Sequence, residues 1–293
     1  MLEQQLVNAL SLGSVYALFA LGFTLIFGVL GVINLSHGAV FTLGAYLALL
    51  LVTHFALPLW IAMPTAMIAT GVVGMLIDYL ILKPLRARNA PHLIPMIATI
   101  GVAIVLTSIV QGLFSAETKR FPVGTLSDDG FMLGTIHTTT LQLAIIIISF
   151  VLMAALIVVM KRTLLGKALR AIAESPKAAY LLGINVEGLF LLVSFVAAAL
   201  GAAAGILIGL SVNAISPFMG QTILDKGIAV IILGGMGDIR GAMIGGLFLG
   251  FVEVMSVAYF SSDLRDAVSF GLLFLILLVR PSGLFGKVLE RKA

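Results

Sequence analysis

Long apolar runs broken by short polar stretches make up most of this chain. Runs of helical length cover residues 6–30, 38–55, 59–82, 93–114, 141–160, 189–212, 242–260 and 267–279. Several reach the roughly 20 apolar residues that a hydrocarbon core of about 30 Å demands. No ten-residue alternation of apolar and polar side chains, the mark of a transmembrane barrel, is visible. The pattern therefore predicts membrane-spanning helices. One further stretch, residues 227–237 (GIAVIILGGMG), is apolar but too short and glycine-rich to cross alone as a regular helix.

Composition agrees. With 61% apolar and 10% charged residues, the 293-residue chain lacks the polar surface to coat a water-soluble globule. Its 31 glycines suit close helix packing in lipid, where no hydrophobic drive joins helices. The absence of cysteine excludes disulfides and thiolate metal sites. The opening MLEQQLVNALSLG lacks a positive n-region and a small-residue cleavage pattern, so the first apolar run is expected to be a retained helix.

Charge sets direction. Segments 83–92 and 161–188 and the tail from Arg280 hold 12 of the 17 lysines and arginines. Cytoplasmic flanks collect such residues, so all three are expected inside, which places the N-terminus outside after three crossings. The loop 115–140, with Asp128 and Asp129, then falls outside. For the tail to end inside, residues 227–237 must complete a crossing as part of a discontinuous helix, for nine in all. The expectation is an all-α, polytopic transmembrane bundle of about 8–10 membrane segments, some discontinuous. It is read as one transmembrane domain over residues 1–293, with a cytoplasmic segment at about 161–188.

That cytoplasmic segment, GKALRAIAESPKAAYLLGINVEG, has soluble character. Leu169, Ile172 and Ala173 share a helical face. Ser175 and Pro176 offer an N-cap and a first-turn proline for a second short helix that Gly183 would end. Two short helices form a knob that fits a partner's cleft and passes on force as a rigid body. An amphipathic helix lying on anionic lipid would explain the same basic residues.

Four stretches carry a family resemblance: ALRAIAESPKAAYLLGINV, GVINLSHGAVFTLGAY, GGMGDIRGAMIGG and the terminal RPSGLFG. In order and over nearly the whole chain, they resemble LivH-type permease subunits of bacterial high-affinity branched-chain amino-acid ABC importers. The resemblance implies an ABC importer permease fold and import of leucine, isoleucine and valine across the bacterial inner membrane. It also implies a second permease subunit, two cytoplasmic ATP-binding subunits and an external binding protein. ATPase coupling is then expected at Arg170, Glu174, Ser175, Pro176, Ala179 and Gly183. Asp238 and Arg240 depart from the family pattern, which has an uncharged residue and often proline there. Related permeases for urea, amides and sugars share much of the pattern.

No enzyme site is legible. The only approach to a phosphate-binding loop, Gly166-Lys167-Ala168, lacks the upstream glycine and the hydroxyl that would hold magnesium. His37, His54, His92 and His137 show no metalloprotease spacing, and GxSxG is absent. No cofactor, metal or nucleic acid is expected.

Two glycine-bounded breaks, GVINLSHG at 31–38 and GGMGDIRG at 234–241, interrupt apolar runs with polar residues. They read either as paired unwound segments lining a transport path or as ordinary turns between helices. The candidate pathway residues are Asn34, Ser36, His37, Gly38, Gly234, Gly235, Gly237 and Glu253. The first three could instead satisfy backbone. Glu253 lies mid-run, where an ionised carboxylate costs about 2.5–3.5 kcal/mol, so it should face the pathway, a second subunit or a structural partner. Arg240 and Arg265 lie too far along the chain to pair with it on one helix. Asp78 reads as an interfacial residue near Lys83, and Trp60 as an interface anchor. An ion-coupled carrier, with Glu253 as its acid, and a channel are the rival readings.

Overall fold

The computed structural model describes residues 2–91, 93–122, 130–133, 136–280 and 283–285. Its first half holds α1 (Leu2–Leu30), α2 (His37–His54), α3 (Leu59–Ile77), α4 (Lys83–Ala87) and α5 (Leu93–Phe114). A two-stranded antiparallel hairpin, β1 (Gly130–Leu133) and β2 (Ile136–Thr139), leads into α6 (Thr140–Arg162). Then come α7 (Leu164–Glu174), α8 (Pro176–Leu181), α9 (Val186–Val212), α10 (Met219–Gly234), α11 (Ile239–Tyr259) and α12 (Arg265–Val279). Asp128, Asp129, His92 and the tail from residue 286 lie outside the described residues.

Among the described residues, seven helical segments are long and apolar enough to cross a membrane: α1, α2, α3 with its extension to Ala87, α5, α6, α9 and α11. The other two apolar helices, α10 with 16 residues and α12 with 15, fall short of a bilayer by length. Among the described residues, seven spans therefore stand against the nine crossings expected from charge parity, with α10 and α12 as two further short apolar helices.

Helix α1 is the axis of the bundle. It packs against α6, α7, α9, α10 and α11 and is the most enclosed of the spans. Its closest partner is α11, and small residues set the approach: Gly13 and Ala17 on α1 face Gly246 and Gly250 on α11, each pair four residues apart. A Cβ at Gly246 would overlap the Ala17 backbone, and one at Gly250 the Gly13 backbone. Lipid offers no hydrophobic gain on helix association, so packing at this range is what holds the pair together. Phe19, Phe23 and Phe41 form the aromatic centre beside this seam. Helices α5 and α6 are the least enclosed, and their outer faces are apolar.

Two expectations change. Helix α10 begins at Met219, eight residues before the anticipated start, because Gln221, Thr222, Asp225 and Lys226 interrupt the apolar pattern without interrupting the helix. Gly227 is not a break at all: it lies inside the helix, where the Phe19 ring packs onto it. Asp78, read from the sequence as an interfacial residue near Lys83, is fully buried within the protein. The helix widens there into a π turn, Asp78–Leu82, which extends α3 into α4. The carboxylate takes a two-pronged pair of bonds from Arg86 at 2.7 and 3.0 Å, rather than pairing with Lys83. Arg86 also lies 3.4 Å from Glu187 and stacks on the Phe190 ring, which ties α4 to the start of α9.

One end of the bundle gathers the basic segments. There Gly28 near the end of α1 meets Gly237, and Arg170 of α7 bonds the Met160 carbonyl at the end of α6. Leu284 and Phe285 donate to the carbonyls of Leu233 and Gly234 at the same end. The opposite end carries the hairpin, where His137 and Gln4 exchange hydrogen bonds. Trp60, 63% exposed in the first turn of α3, sits where an interfacial ring belongs.

Candidate translocation pathway and coupling elbow

The first break is re-entrant. After α1 ends at Leu30, Gly31 turns with φ +68° and the chain runs back into the bundle. His37, the first residue of α2, stacks on Phe23 and meets Phe19, and its ring would abut a Cβ at Gly22. Gly22 is eight residues before Leu30, so α2 starts ~12 Å back from the end of α1. The turn satisfies itself: the Asn34 side-chain oxygen accepts from the Ser36 amide at 3.1 Å and the Ser36 hydroxyl at 2.6 Å. From α5, the Thr99 hydroxyl accepts the Leu35 amide at 3.1 Å.

The segment before α10 mirrors it from the other end. Asn213 closes α9 in the left-handed region, and its side-chain oxygen accepts the Phe121 amide. Ile215 exchanges backbone bonds with Lys119, and the Tyr46 hydroxyl donates to the Ile215 carbonyl. The chain thus descends to Gly220, where a Cβ would overlap the Gly38 carbonyl. The N-termini of α2 and α10 therefore abut inside the bundle, and the two helices run away from the meeting point in opposite directions.

Beside that junction lies a cavity of about 350 Å³ between α2, α5 and α10. Thr42, Thr107, Ser108, Gln111 and Gln221 supply its polar atoms, and Leu35, Ile100, Ile104 and Leu224 its apolar wall. Among the described residues, no charged side chain lines it. Helix N-termini carry partial positive charge, and the hydroxyls and amides both donate and accept, so the space can solvate a carboxylate and an ammonium without binding either strongly.

Charge is gathered elsewhere. Glu253 of α11 is fully buried, and its carboxylate accepts from the Tyr16 hydroxyl at 2.7 Å and from Arg265 at 2.6 and 3.0 Å. It also pairs with the ammonium of Lys226, which lies 3.3 Å from Asp266. Two cations and two carboxylates balance around one phenol, and the cluster joins α1, α10, α11 and α12. Arg265, dismissed on sequence distance, reaches Glu253 because the chain reverses at Ser262–Leu264 and brings the start of α12 back alongside α11.

At the basic end, α7 and α8 form an elbow that is continuous with the core. The Thr163 hydroxyl caps α7 by accepting from the Gly166 amide, and Leu169 and Ile172 are buried against the bundle. Ser175 accepts from the Ala178 amide to cap α8, with Pro176 in the first turn. Gly183 closes α8 at φ +83°, and the Ile184 amide returns to the Ala179 carbonyl. Ala179 is buried, whereas Tyr180, Leu181 and Leu182 are 72–79% exposed. The elbow thus turns one apolar side inward and another outward.

Residues 5–277 match the family profile described as branched-chain amino acid transport system / permease component. The chain belongs to this permease family. It is 37% identical to the high-affinity branched-chain amino acid transport system permease protein BraD of Pseudomonas aeruginosa, over 97% of this chain and 95% of the relative. It is 36% identical to the Escherichia coli K12 permease LivH of the same description, with the same coverage. A probable branched-chain amino acid transport permease LivH of Methanocaldococcus jannaschii is 30% identical over 96% of this chain and 91% of the relative. No solved structure matches the chain.

Within this permease, the residues singled out from sequence fall into four places. Gly38 alone lines the cavity at the helix junction, while Asn34, Ser36 and His37 are buried beside it. Gly234 and Gly235 are packed into the α10–α11 turn, and Gly237 lines a second cavity beneath the elbow. Glu253 belongs to the ion cluster. Arg170, Glu174, Ser175, Pro176, Ala179 and Gly183 are all on the elbow. The departure at Asp238 has a local cause: its carboxylate caps α11 by accepting from the Gly241 amide at 2.8 Å. Sequence reading missed Lys226 and the lining residues Thr107, Ser108, Gln111 and Gln221. A lysine inside an apolar stretch needs a partner, and Lys226 one position before Gly227 was that signal.

Proposed function

We propose that this permease forms the membrane path of an ABC importer for branched-chain amino acids in the bacterial inner membrane. The single observation behind this reading is the full-length likeness, at 36–37% identity, to permeases described for that transport system. In this reading the N-terminus lies outside, the elbow and C-terminus lie in the cytoplasm, and the chain itself carries no catalytic site. A second permease subunit completes the path, an external binding protein delivers the amino acid, and two separate ATPase subunits grip the exposed side of α7–α8.

ATP binding draws the ATPases together and moves the elbow. Leu169, Ile172 and Ala179 are part of the bundle core, so that movement passes into α1, α6 and α9 as a rigid displacement. The junction of α2 and α10 then opens alternately to either side. Direction comes from which state each partner favours, since a ligand of equal affinity for both shifts nothing. The uncharged cavity lowers the cost of dehydrating a zwitterion without trapping it, and affinity is left to the binding protein. A carrier driven by an ion gradient is disfavoured because Glu253 is already neutralised by Lys226 and Arg265.

Proteoliposomes test this directly. Labelled leucine should accumulate only with the ATPases, ATP and binding protein present, whereas gradient-driven uptake by the lone chain sinks the proposal. Because the chain has no cysteine, a single cysteine at Tyr180 reports orientation. It should react with a membrane-impermeant maleimide only from the cytoplasmic side.

A further inference from the structure

A second cavity, of about 360 Å³, lies under the elbow between the end of α1, the end of α6, α7 and the start of α11. Three cationic side chains border it: Lys161 from α6, Arg170 from α7 and Arg240 from α11. None of the three forms an ion pair among the described residues. The only carboxylate on the rim, Asp238, is spent on capping α11. The rim therefore carries an excess of positive charge, beside the N-terminus of a 21-residue helix.

The inner part of the cavity is different. Leu25, Val29, Ile157 and Met160 give it an apolar wall. Thr24 also lines it, and the Thr24 hydroxyl is buried with no hydrogen-bond partner among the described residues. A cationic rim above an apolar interior matches a molecule with a phosphate at one end and hydrocarbon at the other. A soluble anion would leave the apolar part empty. Helix α6, which contributes Ile157, Met160 and Lys161 to the cavity, also carries the exposed apolar residues Val151 and Val158.

We infer that this cavity binds one anionic phospholipid of the leaflet at the basic end, its phosphate held by Lys161, Arg170 and Arg240 and its hydrocarbon against Leu25, Val29, Ile157 and Met160. Basic pockets between helices on the cytoplasmic side are the physical setting for such headgroups. The bound lipid fills the space under α7, so the elbow rests on lipid as well as on protein. The leaflet rests on the orientation proposed above, but the binding site does not.

Purified full-length chain, in mild detergent with phosphatidylglycerol or phosphatidylethanolamine added, supplies the test by native mass spectrometry. One tightly retained phosphatidylglycerol is expected, with phosphatidylethanolamine washed off. Each basic residue near such a surface is worth about five-fold in affinity, so K161Q/R240Q should weaken retention roughly 30-fold. The charge-preserving K161R/R240K should retain the lipid. Ile157→Trp, which keeps every charge and fills the apolar part, should also lose it.

Three outcomes overturn the inference. Equal retention of both lipids would reduce the rim to ordinary positive-inside charge. Displacement by millimolar inorganic phosphate would make it a site for free anions. One-for-one displacement by added ATPase subunits would assign the pocket to the protein interface. Detergent micelles have no sidedness, so a failure here is separate from a failure of the orientation, which the Tyr180 cysteine reports.

Discussion

Helix α10 presents two polar regions, one on each side, and they are built on opposite plans. Lys226 points into the cluster with Tyr16, Glu253, Arg265 and Asp266, where every charge has a partner. Gly220, Gln221 and Leu224 border the cavity, where no charged side chain appears among the described residues. At 100° per residue, Lys226 lies roughly opposite those three on the helix. Full charges fix the helix in place, and in the import cycle proposed above uncharged dipoles line the space that a solute would cross. A charge on the cavity side would bind a zwitterion's opposite end and hold it, while an uncharged polar group on the other side would anchor α10 less firmly.

The largest effect expected from breaking this arrangement is at the cluster. Breaking a buried ion pair costs about 3–5 kcal/mol, and removing any one member leaves the cluster with unbalanced charge. Lys226→Met or Glu253→Gln should therefore lower the unfolding midpoint in detergent sharply and reduce the amount of folded protein. The double variant K226M/E253Q leaves Arg265 and Asp266 as a balanced remainder, so it should be more stable than either single variant. Strictly additive losses in that cycle would show that the two side chains do not act as a pair.

Next in size is Arg86→Gln. Arg86 is likewise paired within the chain, with Asp78 and Glu187, but its side chain is 17% exposed, so water can partly replace it. Hydrogen bonds to charged groups are worth about 1.5–3 kcal/mol, and the loss should fall in that range. A cost equal to that of the cluster variants would mean that charge pairing alone, not enclosure, sets the penalty.

How much of this was legible beforehand differs between the regions. The long spans could be read because a run of apolar residues is a local signal, and the elbow because Ser175-Pro176 and Gly183 mark helix ends within a few positions. The cluster could not, since Tyr16 and Glu253 are 237 residues apart and only the folded topology brings them together. The burial of Asp78 and its pairing with Arg86 went unread because a π turn leaves no mark in the apolar pattern. The cavity was found at Gly38 and otherwise missed. Thr107, Ser108 and Gln111 are single polar residues on an apolar helix, and nothing local tells lining from packing.

The junction of the two helix N-termini comes third. Gly220→Leu would drive a side chain into the Gly38 carbonyl and the Thr42 hydroxyl. Overpacking of this kind costs about 1–3 kcal/mol, and here it would also pry α2 from α10. Leucine uptake in proteoliposomes should fall at least roughly ten-fold, more than the stability change alone accounts for, since the displaced atoms border the cavity. Uptake that tracks only the amount of folded protein would remove the junction from the path.

The smallest effects belong to the cavity lining, and they test the contrast most sharply. Thr107→Val keeps shape and removes one hydroxyl, and Ser108→Ala does the same at the next position along α5. Each hydroxyl contributes one weak interaction to a passing solute, worth about 0.5–1.5 kcal/mol, so uptake should change about two- to ten-fold. The unfolding midpoint should not move, because both side chains face open space rather than a buried partner. Gln221→Glu puts a full negative charge in the same cavity, where it would attract the ammonium of an amino acid. Maximal uptake should then fall while the chain retains more labelled leucine at equilibrium. Were Thr107→Val instead to destabilise the fold as Lys226→Met does, the cavity would be packing, and the two faces of α10 would no longer differ in kind.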